Sequence, residues 1–217
     1  KELDAASFGI LIHEVLKRFG RSEIRHSVDA AEIRDFLHHA LRQCMEERYG
    51  DVRMAAVNVQ AVQLRVRLDA FSQWQAEWAR KGWQIEHTEV SERGVLLPVD
   101  DRSITLRGRI DRIDRHRDTG EWIVFDYKSG DTAKSPQQVH RKGKEWVDLQ
   151  LPLYRRLVSP LGMSGPLKLG YIALPKDKTK VGDQLADWTE AELDVADDVA
   201  KDVARRVLNQ EFWPPAE

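Results

Sequence analysis

Cysteine is nearly absent from this 217-residue chain, which contains Cys44 alone. A single cysteine excludes a framework of internal disulfide bonds and is typical of proteins that stay in a reducing compartment. Long hydrophobic runs are also missing: no apolar stretch reaches the roughly 18 residues that indicate a transmembrane helix. With 41% hydrophobic and 32% charged residues, the composition is typical of a soluble globular protein. We therefore expect a cytoplasmic protein that does not bind a membrane.

The chain lacks three further signals. Residues 1–4 include no initiating methionine and lead into no apolar signal-peptide segment. From the missing methionine we expect a domain excised from a longer protein. No glycine-rich phosphate-binding loop is evident, which argues against an enzyme that acts on a small anion.

Negative charge is in slight excess overall but is distributed unevenly. The formal net charge is −2. Residues 101–180 carry 17 Lys and Arg against 10 Asp and Glu, whereas residues 181–217 carry 3 against 10. Neutralisation of nucleic-acid phosphates depends on local charge rather than on the total. The basic middle block is therefore compatible with nucleic-acid binding, although ordinary solvated surface would give the same count.

The most informative segment is residues 122–130, with the sequence WIVFDYKSG. It predicts a buried strand that ends in Asp126 and Lys128 and is terminated by Gly130. Because side chains alternate across a strand, the two charged residues leave the same face about 6.5–7 Å apart. A hydrophobic strand gains no stability from an acid and a base on one face, so we expect a charged ligand there.

A second strand is predicted upstream, over residues 104–111, with Asp111 at its end. The polar turn at residues 115–120 predicts a hairpin that folds Asp111 back toward Asp126. Two carboxylates and a lysine at a strand end suit a divalent-metal site for phosphodiester hydrolysis. The acids offer hard oxygen ligands to Mg²⁺, which lowers the pKa of a bound water and neutralises charge on the phosphate. Lys128 would orient or deprotonate the attacking water.

Four motifs follow one another in the order of a known family. They are a G-x₃-H helix (Gly9, His13), a G-x-x-D strand (Gly108, Asp111), a D-x-K strand (Asp126, Lys128) and a Q-h-x-x-Y helix (Gln150, Tyr154). In order and spacing they resemble the PD-(D/E)XK nuclease superfamily and, within it, the RecB-like branch. A lone D-x-K is a weak signal, but four ordered motifs on the expected elements are fairly specific.

The resemblance implies roles for further residues. A helix histidine, here His13, serves as a further metal ligand or phosphate contact, and the backbone carbonyl of Tyr127 joins the metal ligands. Gln150 and Tyr154 help to shape the site and hold the scissile phosphate or the lysine. Mn²⁺ is expected to substitute for Mg²⁺. AddB-type and CRISPR-associated relatives hold an iron–sulfur cluster with four cysteines, which a chain with only Cys44 does not provide.

For the fold, we predict an α/β (α+β mixed) protein with a central mixed β-sheet flanked by helices, on a restriction-endonuclease-like core. Residues 1–217 are predicted to form a single domain, with a helical portion at 1–82 and the sheet core with its flanking helices at 83–217. Strand signals over 83–129 predict a meander of three or four strands. A strand at 167–175 is predicted to be the crossover partner of the D-x-K strand.

Other predictions concern the surroundings of the site. Glu89 or Glu92 is a candidate for an additional acid, and the sequence does not choose between them. The basic loop around Arg141, Lys142 and Lys144 is too polar for core, so it either faces phosphate or is disordered without DNA. Arg109 completes the candidate nucleic-acid contacts.

The resulting interpretation is an Mg²⁺-dependent DNA nuclease. The resemblance further implies an exonuclease of DNA recombination and repair, working with a helicase domain or subunit. The alternative is a non-catalytic scaffold on the same fold that binds nucleic acid or protein. The presence of Asp111, Asp126 and Lys128 argues against that alternative.

Overall fold

The computed structural model describes residues 5–50, 55–91 and 94–211. Within these ranges no helix combines the length and the apolar character that a membrane span requires. The described chain forms six α-helices, which are α1 (Ala5–Gly20), α2 (Ala30–Tyr49), α3 (Ala55–Arg80), α4 (Pro136–His140), α5 (Gln150–Leu157) and α6 (Glu190–Leu208).

The same ranges contain nine β-strands. They are β1 (Trp83–Val90), β2 (Val95–Val99), β3 (Arg102–Leu106), β4 (Ile110–His116), β5 (Trp122–Lys128), β6 (Arg141–Lys142), β7 (Glu145–Trp146), β8 (Leu167–Ala173) and β9 (Gly182–Leu185). Five of them form a central sheet in the order β1-β4-β5-β8-β9. Strands β5 and β8 are parallel, and the other neighbours in this sheet are antiparallel. The predicted fold class, a mixed sheet flanked by helices, is confirmed.

Strand β5 lies at the centre of the sheet and divides two hydrophobic cores. Its residues Ile123, Phe125 and Tyr127 pack into the core formed with α1, α2 and α3. Val124 faces the opposite core, to which α5 contributes. Since side chains alternate along a strand, Asp126 follows Val124 onto the side of α5. The D-x-K motif is therefore carried by the most enclosed strand of the fold.

Helix α1 brings the predicted histidine to the sheet. Its residues Val15, Leu16 and Phe19 are completely buried, which fixes the helix against its neighbours. His13 lies at the edge of this apolar stripe and is half-buried. Burial of the stripe therefore determines where the imidazole points.

The strand predicted at 167–175 is β8, and its predicted place as the crossover partner of β5 is confirmed. Strand β8 runs parallel to β5, with Asp126 opposite Tyr171 and Lys128 opposite Ala173. Parallel neighbours require a connection that returns to the starting edge, and α5 lies within that connection. Residues Gln150 and Tyr154 of α5 are placed over the end of β5 in this way.

The prediction of one strand over residues 104–111 is wrong, and so is the simple meander. Strand β3 ends at Leu106 and pairs with β2 in a separate two-stranded sheet. In the central sheet, β4 pairs with β1 instead. Between β3 and β4 the chain passes very close to α5 at Gly108. A Cβ atom added there would lie only 2.6 Å from Cδ1 of Leu157, so a larger residue would not fit without a shift. The β2–β3 hairpin instead packs on α6, where Leu97 and Val99 meet Ala200 and Ala204 in a small core of their own.

A charged network lies inside the core between the sheet and α3. Both Arg112 and Asp114 have 0% exposed side chains, and the guanidinium donates to the two carboxylate oxygens at 2.7 and 2.6 Å. A third guanidinium hydrogen bond reaches Gln75 Oε1 at 2.7 Å, and Trp78 Nε1 donates to Asp114 at 2.8 Å. Each buried charge is therefore balanced by an opposite charge and by further hydrogen bonds.

Removal of one partner of this pair should be costly. Asp114→Ala leaves the Arg112 charge buried without a counter-charge, so we expect the free energy of unfolding to fall by about 3–5 kcal/mol. Urea denaturation measures this loss. Asp118→Ala is the matched control, because Asp118 is a surface acid of the following turn with a 69% exposed side chain. Equal stabilities of the two variants would contradict this account of the core.

The basic loop expected around Arg141 is in fact a folded and partly buried unit. It contains α4 and the β6–β7 hairpin, and His140 within it is fully buried. The rings of Trp146 and Trp188 meet edge to face with centroids 4.8 Å apart, and Trp188 meets His140 in the same manner at 5.4 Å. The sequence prediction failed here because the apolar cover comes from Trp188, which is distant in the chain.

The burial of His140 predicts a pH-dependent stability. Burial lowers the pKa of His140 below its ordinary value of 6.5. The unfolded chain therefore takes up a proton at a higher pH than the folded protein does, so stability is full above about pH 6.5 and is lost as the pH falls toward the lowered pKa.

We expect the wild type to lose more stability between pH 8 and pH 5 than a His140→Gln variant, by at most about 1.4 kcal/mol per pH unit. Denaturant unfolding at each pH measures the difference. His39→Gln, at an exposed position of α2, is the control and should follow the wild type. Parallel pH profiles for the wild type and His140→Gln would refute the prediction.

Candidate metal and active site

The β4–β5 hairpin brings the two predicted acids to one end of the sheet. Arg112 lies opposite Phe125 in the antiparallel register. Beyond this pair, the backbone N–H of Tyr127, two residues after Phe125, donates to Oδ2 of Asp111 at 2.8 Å. Asp111 and Asp126 are each only 5% exposed. The hairpin thus directs both carboxylates into one enclosed region, as its sequence predicted.

Asp126 is held by three side chains. Its Oδ2 lies 2.7 Å from Nζ of Lys128, and its Oδ1 accepts hydrogen bonds at 3.1 Å from Nε2 of Gln150 and from the hydroxyl of Tyr154. Burial raises the pKa of Asp126, the nearby charge of Lys128 opposes this, and the charge of Asp111 adds to it. The two carboxylates are therefore close enough to influence each other electrostatically.

Helix α5 supplies two of these contacts because Gln150 and Tyr154 are four residues apart and share a helix face. Nε2 of Gln150 also donates to the hydroxyl of Tyr154 at 3.0 Å, and that hydroxyl lies 3.2 Å from the backbone oxygen of Arg109. Oε1 of Gln150 lies 3.5 Å from Nζ of Lys128. Burial raises the pKa of Tyr154, so its hydroxyl remains a hydrogen-bond donor.

A second cluster lies on the other side of Asp111. His13, Glu89 and Asp111 each place one potential ligand atom within 4.8 Å of the others. Nδ1 of His13 is 3.4 Å from Oδ1 of Asp111. Of the two acids left open by the sequence, Glu89 lies in this cluster, and Glu92 lies outside the described residues.

The backbone at Glu89 has an unusual conformation. Its φ angle is +54°, in the left-handed region that costs a non-glycine residue roughly 1–2 kcal/mol. The neighbouring pairs Thr88–Arg112 and Val90–Ile110 remain in register across β1 and β4. Local strain of this kind concentrates at functional sites. The Glu89 side chain is only 7% exposed, so the strain accompanies an inward-pointing carboxylate.

The electrostatics of the cluster indicate a cation site. Burial alone would lower the pKa of His13, but the hydrogen bond and charge of Asp111, with the charges of Asp126 and Glu89, outweigh burial and raise it. Burial raises the pKa of Glu89, and the Arg109 charge opposes this. Enclosed carboxylates that resist ionisation gain from a positive partner. Two carboxylates and an imidazole are suitable ligands for a divalent metal ion.

The metal-ligand set predicted from the sequence overlaps with this cluster only in part. His13 and Asp111 belong to it, whereas Asp126 faces Lys128 and α5, and the geometry leaves the predicted ligand role of the Tyr127 carbonyl untested. Sequence reasoning left Glu89 undecided because choosing it required the knowledge that β1 pairs with β4. The signal in the sequence that could have indicated Glu89 was its position near the end of the strand that became β1.

The four predicted nucleic-acid contacts lie in different surroundings. Arg109 is 60% exposed, and its Nε is 3.0 Å from Glu89. It lines a cleft of about 280 Å³ together with Gly9, Ile10, His13, Glu14, Lys17 and Glu89. Lys142 and Lys144 are exposed on the β6–β7 hairpin. Arg141 differs, because its side chain is only 8% exposed and packs over the ring of Trp146 at 4.4 Å, away from solvent.

Comparison with known families supports the interpretation that the geometry suggested. The family model of the PD-(D/E)XK nuclease superfamily matches residues 1–217. The chain belongs to the PD-(D/E)XK nuclease superfamily. No curated protein matches the chain. Nucleases of the PD-(D/E)XK superfamily typically use divalent metals, and the cluster of His13, Glu89 and Asp111 offers suitable ligands for such an ion.

The metal cluster can be tested directly. Glu89→Gln removes one negative ligand, so we expect the affinity for Mn²⁺ to fall about tenfold or more, as measured by isothermal titration calorimetry. Glu14→Gln is the control, because Glu14 lines the same cleft but is paired with Lys17 and Arg18. An unchanged affinity in Glu89→Gln would remove this residue from the ligand set.

Proposed function

We propose that this protein is a RecB-like deoxyribonuclease that hydrolyses phosphodiester bonds with Mg²⁺, for which Mn²⁺ substitutes. The observation that carries the proposal is the convergence of two clusters on one hairpin end. The cluster of His13, Glu89 and Asp111 lies on one side, and the Asp126–Lys128 pair, 2.7 Å apart, lies on the other. A structural ion pair alone would not require the additional buried acids.

The chain offers several ligands for the metal. His13, Glu89 and Asp111 would form the primary set, and the carbonyl oxygen of Tyr127 would complete it. Asp126 would join this set by releasing Lys128 from its Oδ2. When bound, a divalent cation supplies positive charge to the phosphate and lowers the pKa of water. The N–H of Tyr127 holds Oδ2 of Asp111, which orients the other oxygen of that carboxylate toward His13.

Lys128 acts on the attacking water. Its ammonium is directed by Asp126 and Gln150, so a water molecule that contacts Nζ is placed beside the acids. As an ammonium, Lys128 orients this water by donating a hydrogen bond to it; the neutral amine would instead take its proton. The water oxygen forms a bond to phosphorus as the bond to the 3′ oxygen breaks. The water gives up one proton and the 3′ oxygen takes one from solvent, which leaves a 5′-phosphate and a 3′-hydroxyl.

Gln150 and Tyr154 hold Asp126 in this mechanism. Both donate to its Oδ1 at 3.1 Å, and so they fix the carboxylate while Oδ2 remains with Lys128. This differs from direct contact with the scissile phosphate, which the family resemblance implies. The described geometry favours a role in orienting the acid and the lysine.

The substrate is proposed to be DNA. Arg109 and Lys17 line the cleft beside the metal cluster and offer positive charge to phosphates there. Lys142 and Lys144 offer further exposed positive charge on the β6–β7 hairpin. Arg141 stays a structural residue in this proposal because its guanidinium is enclosed.

We further propose exonuclease action in recombination and repair with a helicase domain or subunit in the cytoplasm, on the ground of the RecB-like motif order.

The decisive experiment compares Lys128→Ala and Asp126→Asn with the wild type on end-labelled single-stranded, duplex and circular DNA. We expect cleavage with Mg²⁺ to fall by about 10²–10⁴-fold in both variants, because the water loses its orienting group or that group loses its carboxylate. Lys168→Ala is the control. Lys168 lies on β8 at the opposite end of the sheet, paired with Glu121, and its loss should leave cleavage intact.

The substrates also separate the alternatives. Resistance of circular DNA would support exonuclease action. DNA binding without cleavage by the wild type, at any Mg²⁺ or Mn²⁺ concentration, would favour the non-catalytic scaffold. Full activity in Lys128→Ala would refute the proposed mechanism.

A further inference from the structure

Tyr171 lies directly beside the proposed catalytic lysine, although no motif includes it. It stands opposite Asp126 in the parallel pairing of β5 and β8, so its side chain shares the face of Asp126 and Lys128. The ammonium of Lys128 lies 4.9 Å from the centroid of the Tyr171 ring. Tyr171 is 1% exposed, so its ring is a fixed aromatic face for the Lys128 ammonium, whose side chain is 37% exposed.

The hydroxyl of Tyr171 is held in place by His140. A short hydrogen bond joins this hydroxyl to Nε2 of His140, which is completely buried. Nδ1 of the same imidazole lies 2.9 Å from the backbone oxygen of Asp148. A carbonyl oxygen only accepts, so Nδ1 carries the proton and Nε2 accepts from the tyrosine. The ring of Tyr171 is therefore fixed at its outer end.

A chain of hydrogen bonds connects the Tyr171 hydroxyl, through His140 and Asp148, to Gln150 beside the lysine. Oδ1 of Asp148 accepts the backbone N–H of Gln150 at 2.8 Å. The side-chain oxygen of that glutamine lies 3.5 Å from Nζ of Lys128. The lysine thus meets Asp126, Gln150 and the Tyr171 ring on different sides, and the last two are linked through His140 and Asp148.

We propose that Tyr171 is a positioning residue for Lys128 and that His140 holds the tyrosine ring in the position that this requires. A lysine has a flexible four-carbon stem and a single point charge, so an ion pair with Asp126 alone leaves the ammonium several orientations. The aromatic face removes some of them and keeps Nζ over the end of β5. The inference rests on the proposed nuclease function, because it concerns the group that acts on the water.

The test uses two substitutions at Tyr171. Tyr171→Leu removes the aromatic face, and we expect kcat for Mg²⁺-dependent DNA cleavage to fall about tenfold. The KM for DNA and the affinity for Mn²⁺ should stay within about twofold, because the metal ligands and the cleft are unchanged. Tyr171→Phe keeps the aromatic ring, so its kcat should stay within about threefold of the wild-type value.

Leu169→Ala is the matched control for lost packing. Leu169 lies two residues earlier on the same face of β8, is 4% exposed and belongs to the same core, but it lies opposite Val124, away from Lys128. Thermal unfolding of each variant shows whether it remains folded. We expect Leu169→Ala to lose stability and to keep the kcat of the wild type.

Three results would overturn the inference. They are a kcat of Tyr171→Leu within about twofold of the wild type, an equal loss of kcat in Leu169→Ala, and a loss that appears in KM instead of kcat. Absence of metal-dependent cleavage in the wild type would overturn the proposed function and this inference with it. An active wild type with an equally active Tyr171→Leu variant overturns this inference alone.

The role of His140 is tested by a double-mutant cycle. His140→Gln and Tyr171→Phe each break the same hydrogen bond, so their combination should lower kcat no further than the stronger single substitution, within about twofold. Additive losses of kcat would show that His140 acts independently of Tyr171 and would overturn that part of the inference.

Discussion

The site depends on one backbone hydrogen bond within the β4–β5 hairpin. The N–H of Tyr127 would otherwise be an unpaired donor at the end of its strand, and the carboxylate of Asp111 satisfies it at 2.8 Å. This bond exists only in the observed register, because a slip of one residue would turn Asp126 and Lys128 to the other face of the sheet. The register is secured in turn by the buried side chains on both faces of β5.

Around this bond, the protein encloses three carboxylates whose basic partners are all partly exposed. Asp126 has Lys128 as a partner, and Glu89 has the exposed Arg109, whereas Asp111 faces the imidazole of His13. Burial raises the pKa values of Asp126 and Glu89, which is the electrostatic cost of this arrangement. The core pair of Arg112 and Asp114 is balanced within itself. The difference between the two buried charge systems distinguishes a ligand site from a structural one.

Much of the fold could be predicted because its signals are local. The hairpin, the parallel strand β8 and the helix that carries Gln150 follow from apolar patterns and turn residues. The errors arose where distant segments decide the outcome. Gly108 interrupts a strand because α5 passes close to it, and His140 is buried because Trp188 covers it. Neither contact leaves a periodic pattern in the sequence, so pattern analysis could not find it.

The sequence by itself determined the family of this protein. The spacing of Asp126 and Lys128 sets them on one strand face, and the four ordered motifs point to the superfamily to which the chain belongs. The tertiary structure decided which groups meet. Glu89 lies beside Asp111 because β1 pairs with β4, and Tyr171 meets the lysine because β8 is parallel to β5. Alternation within a strand is a local property of the backbone, whereas pairing between strands depends on how the whole chain buries its apolar surface.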